Sequence, residues 1–233
     1  MLKALVSAIF FCVALLDTAV LTPADAGTVL DAIDSGWYNE FGYHENNNEN
    51  YIVGNTFNLI THRDFFLFDL SGVGSTIASA ELRLFNHSQL TSPSNVDGYI
   101  SGDATETYVL YDVDTAIASL TSGGNGLVSH YNDLGSGTTF GSYIASAADN
   151  GTAISIPLNA DAVQALNNST GSFAIGGAIT TLRIDRPYRE HLFSNSHNPP
   201  NSRQLVLKFV PEPTTCTLAL AALCFAVGRR GGC

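Results

Sequence analysis

An antiparallel β-sandwich is the fold this sequence predicts for its middle, and three observations carry that expectation. Short runs rich in Val, Ile, Leu and Phe show period-two alternation. Clusters of Gly, Asn, Ser and Asp break those runs at turn-like intervals. Helical periodicity is confined to two short connector stretches. The predicted class is all-β.

Phe65-Phe66-Leu67-Phe68-Asp69-Leu70 is the densest apolar strand, and Ser71-Gly72 ends it. In Glu81–Asn86, Leu82 and Leu84 point to one face and Glu81, Arg83 and Phe85 to the other. Further strands are expected at Tyr108–Val113, Ala153–Leu158, Ser172–Gly177 and Gln204–Phe209. Asp114–Leu120 reads as helical because Ile117 and Leu120 lie at i,i+3. Asn159–Leu166 has an N-cap in Asn159 ahead of Ala162, Val163 and Leu166. The polar stretches Glu45–Asn50 and Thr91–Asn95 read as surface loops. Gly123-Gly124-Asn125-Gly126 is a flexible turn, since it lacks the GxGxxG spacing and the following Lys-Ser/Thr of a phosphate cradle. No internal repeat is visible.

Both ends read as addresses. Lys3 provides a positive start, Ala4–Leu16 an apolar core and Ala24-Asp25-Ala26 a small-residue cleavage site before Gly27, the pattern of a signal peptide over residues 1–26. Phe10 and Phe11 stand where a lipobox needs small residues, so Cys12 is not read as lipidated. At the other end Val210-Pro211-Glu212-Pro213 precedes an apolar run that closes on Arg229-Arg230. Thr214–Val227 offers fourteen residues, short of the ~20 that span a bilayer. The two prolines and the Ala-rich run argue against a core strand, and the arginines would lie on the cytoplasmic side. A Pro-Glu-Pro signal, a short apolar segment and a basic end, in that order, resemble the PEP-CTERM sorting signal that bacterial exosortases read in envelope proteins. The resemblance covers residues 210–233; Gly231-Gly232-Cys233 runs on past the usual stop. It implies export, a transient stay in the inner membrane on a short C-terminal hydrophobic helix, processing by an exosortase-type enzyme, and a destination at the cell surface or in the exopolysaccharide matrix.

All four cysteines, Cys12, Cys216, Cys224 and Cys233, fall in those two ends. A domain over residues 27–209 must therefore be stable without disulfides, and its length suits one core. Residues 27–210 hold 18 Asp and Glu against 7 Lys and Arg, a balance of −11. With no basic cluster there is no footprint for nucleic acid. Acidity of this kind serves solubility outside the cell or, at a few positions, divalent cations.

The order Tyr51-Ile52-Val53-Gly54, Arg63–Ser71 and Ile77–Leu84 is similar to the opening of DNRLRE-type domains. The match is good over Asp31–Asn86 and continues beyond it only as strand rhythm and the closing Leu205-Val206-Leu207. It implies a jelly-roll-like sandwich akin to carbohydrate-binding modules, with a concave face or loop edge that holds glycan and, in some relatives, a structural calcium.

Chemistry-bearing motifs are few. His44, His62, His87, His130, His191 and His197 show no metal spacing and are expected in surface loops; His191 and His197 share one loop. There is no GxSxG elbow. Asp112-Val113-Asp114 places two carboxylates on one strand face, the best placed oxygen ligands for calcium; Asp69, Asp31 with Asp34, and Asp97 are further donors. Trp37, the one tryptophan, sits with Tyr38, Phe41 and Tyr43, either as a glycan platform or as a plug at the sandwich edge. Arg183, Arg186 and Arg189, with Tyr188, form the one local basic stretch, facing acidic polysaccharide or pairing with Asp185 and Glu190.

The expectation is an exported, non-catalytic surface or matrix protein, structural or adhesive, associated with exopolysaccharide. Two alternatives stand beside it: a carbohydrate-binding module with a defined site near Trp37, and a small glycoside-active enzyme using paired carboxylates. Mass spectrometry of the fractionated native protein is expected to find it outside the cytosol, starting at Gly27 and shortened at its C-terminus. Intact chain in the cytosol would refute both addresses.

Overall fold

The computed structural model describes residues 27–56, 59–87, 98–183, 189–193 and 201–211. Among these residues eleven strands form two antiparallel sheets, with a few short helices between them. The strands are β1 Thr28–Asp31, β2 Asp34–Asn39, β3 Val53–Asn55, β4 Thr61–Asp69, β5 Ile77–Asn86 and β6 Glu106–Tyr111. They continue as β7 Thr139–Ala145, β8 Thr152–Pro157, β9 Ser172–Ile179, β10 Glu190–Leu192 and β11 Arg203–Phe209. The helices are α1 Ile117–Leu120, α2 Val128–Asp133 and α3 Ala160–Asn168.

The smaller sheet runs β1-β11-β5-β8. The larger, seven-stranded sheet curls into a half-barrel along β10-β3-β4-β9-β6-β7, with β2 on β4. β4 is its hub, pairing with β2, with β9 and, at Thr61 and His62, with β3. The chain crosses between sheets from β1 to β2, β4 to β5, β5 to β6, β7 to β8, β8 to β9 and β10 to β11.

Alternation on β5 buries Ala80, Leu82 and Leu84, which join Ile154 and Ile156 of β8 and Leu205 and Leu207 of β11. From the larger sheet Phe66, Phe68, Tyr108, Leu110 and Ile175 enter the same apolar cluster. Each large side chain fully withdrawn from water here contributes about 1.5–3 kcal/mol before entropy is counted. The other face of β4 presents Phe65 and Leu67, which form a second cluster with Tyr38, Ala174, Leu120 and Leu134. Leu120 and Leu134 come from the helical segment between β6 and β7, so that segment is the lid over the sheet's outer face. Tyr38 Oη donates to the Leu120 carbonyl at 2.8 Å and ties β2 to the lid.

The expected strands are present with shifted ends. β4 starts four residues earlier than expected, and β6 stops at Tyr111 rather than Val113. Asn159 is the N-cap of α3, its Oδ1 accepting from Ala162 N at 3.0 Å. β1, β2, β3, β7 and β10, together with α2, had no predicted counterpart.

One polar pair lies inside the apolar interior. Asp64 is fully buried; its Oδ1 accepts from Tyr108 Oη at 2.8 Å and its Oδ2 has no hydrogen-bond partner among the described residues. The pair exists because β9 carries Gly177 opposite Asp64, where a Cβ would come 2.1 Å from Tyr108 Oη. Burial raises the Asp64 pKa well above its ordinary 3.8 and lowers that of neighbouring His62 to about 4. The raised carboxyl contributes stability that is full below pH 3.8 and lost as pH rises toward its folded pKa. The depressed imidazole contributes stability present above pH 6.5 and lost as pH falls to about 4. The two slopes therefore oppose each other across the interval from about pH 4 to pH 6.5.

Asp64→Asn removes one slope only, so urea unfolding of the variant should gain on the wild type steadily as pH rises from about 4. Parallel wild-type and variant profiles would show that Asp64 does not titrate with folding. Tyr108→Phe strips Asp64 of its donor and is expected to cost ~1–3 kcal/mol in the same measurement.

Candidate functional site

Where the apolar pattern of β4 gives way to Thr61-His62-Arg63-Asp64, the surface of the larger sheet opens into a half-open groove of about 470 Å³. Thr61 and Arg63 of β4, Tyr111 at the end of β6 and Ala178 of β9 line it with Thr180 just beyond, and Tyr131 of α2 with Gly135 form one wall. Glu40 after β2, with its Oε1 at 3.3 Å from Thr61 N, and Arg183 complete the polar lining. His62 reaches the groove as well; it is 92% buried and its Nδ1 has no hydrogen-bond partner among the described residues.

Arg63 is held rigidly. Its Nη1 donates to the carbonyls of Tyr131 at 2.9 Å and Asn132 at 3.1 Å, and its guanidinium carbon lies 4.2 Å from the Tyr131 ring centre. On Gly135 a Cβ would come 2.5 Å from that carbon, so the wall closes only because this position is glycine. Clamped by ring and main chain, the guanidinium presents a fixed edge.

Beside the groove Arg183 links to a second constellation. Its Nε meets Asp103 Oδ2 at 2.9 Å, and its main-chain N donates to Glu190 Oε2 at 2.7 Å. Asp103, Glu106 and Glu190 bring carboxylate oxygens within 4.8 Å of one another, and both glutamates are buried. Ser101 Oγ donates to Glu106 Oε1 at 2.6 Å and Thr181 Oγ1 donates to Glu106 Oε2. Only Asp103 meets the Arg183 guanidinium, and an all-oxygen set of three carboxylates suits a hard cation such as Ca²⁺.

The residues singled out in the sequence fall elsewhere. Asp112 and Asp114 lie beyond the end of β6, so strand alternation does not set their directions. Asp112 Oδ1 is committed to Thr138 N at 2.7 Å, and Asp114 is exposed. Tyr38 is a core residue with no ring face open to a sugar, because β2 pairs it with Arg63 on the side where Phe65 and Leu67 lie. Trp37 points the opposite way and packs half-buried against His62 at 4.8 Å and Tyr43 at 5.9 Å, between ring centres. Tyr43 and Phe41 are exposed.

The histidines correct an expectation. His44, His62, His87 and His191 are buried rather than in surface loops: His44 packs on Tyr38 and Phe65, His62 on Trp37, His87 on Phe85, and His191 is paired within β10. His44 Nδ1 bonds the Trp37 carbonyl at 3.0 Å, and His191 sits within β10. His197 lies outside the described residues, as do Asp97, Asp185, Arg186 and Tyr188. The Arg183 guanidinium pairs with Asp103, and the Glu190 carboxylate meets Arg183 at its main-chain N.

Val210 is exposed, and its N donates to Thr76 O at 2.9 Å; Pro211 is the last described residue. The signal peptide, Glu212, Pro213, the apolar run, Arg229 and Arg230 lie outside the described residues. Among the described residues no helix is long and apolar enough to cross a membrane.

Sequence reasoning missed the groove because its residues come from positions 40 to 183. The available signal was the polar run Thr61–Asp64 opening an otherwise apolar strand. No protein-family model and no curated protein matches the chain.

Calcium at about 1 mM is expected to raise the melting temperature by ~3 °C or more, reversibly with EDTA, and Glu106→Gln to abolish the response. An unchanged melting curve would assign the three carboxylates to hydrogen bonding alone.

Proposed function

We propose that this is an exported, non-catalytic protein of the cell envelope or extracellular matrix that associates with exopolysaccharide through the groove on its larger sheet. In this reading the fold is a jelly-roll-like β-sandwich related to DNRLRE-type domains. The C-terminal signal hands it to an exosortase-type enzyme after export and a transient stay in the inner membrane.

The observation that carries the glycan reading is the composition of the groove. Its volume of about 470 Å³ falls in the ~300–1,000 Å³ range of small-ligand sites. Tyr111 and Tyr131 offer aromatic surface, while Thr61, Glu40 and Thr180 offer hydroxyl and carboxylate partners.

Two further observations bear on the alternatives. Glu106 and Glu190, neighbouring carboxylates beside the groove, are each 1% exposed and engaged by Ser101, Thr181 and the Arg183 main chain. Neither can reach a glycosidic oxygen, which favours binding over hydrolysis. Trp37, packed on the same His62 that lines the groove, keeps a site at that edge as the second reading.

Affinity electrophoresis in gels containing the producer's own polysaccharide should retard the protein, with Tyr111→Ala weakening retardation ~3–10-fold. Loss with Trp37→Ala and not Tyr111→Ala would move the site to the β2 edge. Absence of retardation would refute glycan association. Release of reducing sugar that stops with Glu190→Gln would overturn the non-catalytic reading.

A further inference from the structure

Resting on the glycan reading, a charge asymmetry narrows what the groove accepts. The chain is strongly acidic, with a net charge of −11. Its described arginines are mostly matched with acids: Arg83 pairs with Glu81, Arg183 with Asp103 and Arg203 with Glu49. Arg63 differs, because among the described residues its charge meets only two main-chain carbonyls and the Tyr131 ring. Glu40, the one carboxylate lining the groove among the described residues, forms no ion pair with it and faces Thr61 N instead.

The geometry of that guanidinium is specific. Both carbonyl bonds fall on Nη1. The Nε–Nη2 edge is left without a hydrogen-bond partner among the described residues, and it is the edge that grips a carboxylate with two parallel bonds. Tyr131 on one side and the Gly135 main chain close by hold the plane, so little side-chain entropy remains to be lost on binding. An arginine serving only to brace the 131–135 wall would need neither this free edge nor a place in a groove. Neighbouring Tyr111 and Thr180 can meet the ring and hydroxyls of the same sugar unit.

We infer that the groove takes a carboxylate-bearing sugar, a uronic acid unit of an acidic polysaccharide, with the Nε–Nη2 edge of Arg63 as the anchor for its carboxylate. The net repulsion between an acidic protein and an acidic polymer then favours this one face over all others.

Isothermal titration of the purified full-length protein with a hexameric oligogalacturonate and with its fully methyl-esterified form isolates the charge, since the two share ring shape and linkage. The acid is expected to bind about tenfold tighter, and about 0.5 M NaCl to narrow the gap. Arg63→Lys, which keeps the charge and loses the fork, should erase most of the preference while the ester binds as before; thermal melts of the variant check that the wall still folds. Tyr111→Ala should weaken acid and ester alike. Equal affinity of the wild type for both forms overturns the uronate assignment and leaves the glycan groove standing. Binding of neither form, together with no retardation by the producer's polysaccharide, overturns both. The acid–ester comparison needs no variant, so a misfolded Arg63 substitution cannot obscure it.

Discussion

β4 is apolar on both faces, and that constraint organises the protein. A strand with one wet face needs a single cover, but Phe65 and Leu67 on one side and Phe66 and Phe68 on the other demand two. The smaller sheet supplies the inner cover through Leu82, Leu84, Leu205 and Leu207. The long connection from β6 to β7 supplies the outer one by dropping Leu120 and Leu134 onto the exposed side. Helices α1 and α2 are too short to be stable alone, so their conformation is a consequence of that burial rather than of helix propensity. The Tyr38 hydroxyl bond to Leu120 then fixes the lid's height above the sheet.

The groove follows from where this two-sided pattern stops. At Thr61–Asp64 the strand changes from aromatic to polar without leaving the sheet, so the outer face is no longer sealed by packing. The wall that the lid provides there is Tyr131 and Gly135 rather than leucine, and Arg63 is what it closes upon. On the inner side of the same four residues, Asp64 is accommodated only through the hollow left by Gly177 and the Tyr108 hydroxyl. One tetrapeptide thus contributes a surface cation to the groove and a buried acid to the core, on opposite faces, by strand alternation alone.

The acidic cluster is joined to the groove through a single residue. Arg183 lines the groove, holds Asp103 with its side chain and holds Glu190 with its main chain. Ligand at one place and cation at the other would therefore act on the same segment after β9. Gly54, at φ +101° and with a Cβ position only 2.2 Å from Glu190 O, lets β10 lie close enough against β3 to bring Glu190 there.

Alternating apolar residues determined the long central strands, and Asn159 determined the start of α3, because those signals are local and burial only reinforces them. The short strands were not legible: Asp34–Asn39 and Glu190–Leu192 are strands because a neighbour's backbone pairs with theirs, whatever their side chains. The same holds for side-chain environment. A histidine, an arginine or a glutamate carries no mark of whether its neighbours will bury it, pair it or leave it an open edge. The fold decided that His62 and His191 go inside, that Arg183 meets Asp103, and that residues from 40 to 183 share one groove. Periodicity is written along the chain, whereas a site is made by contacts across it, and only the closed sheets bring those together.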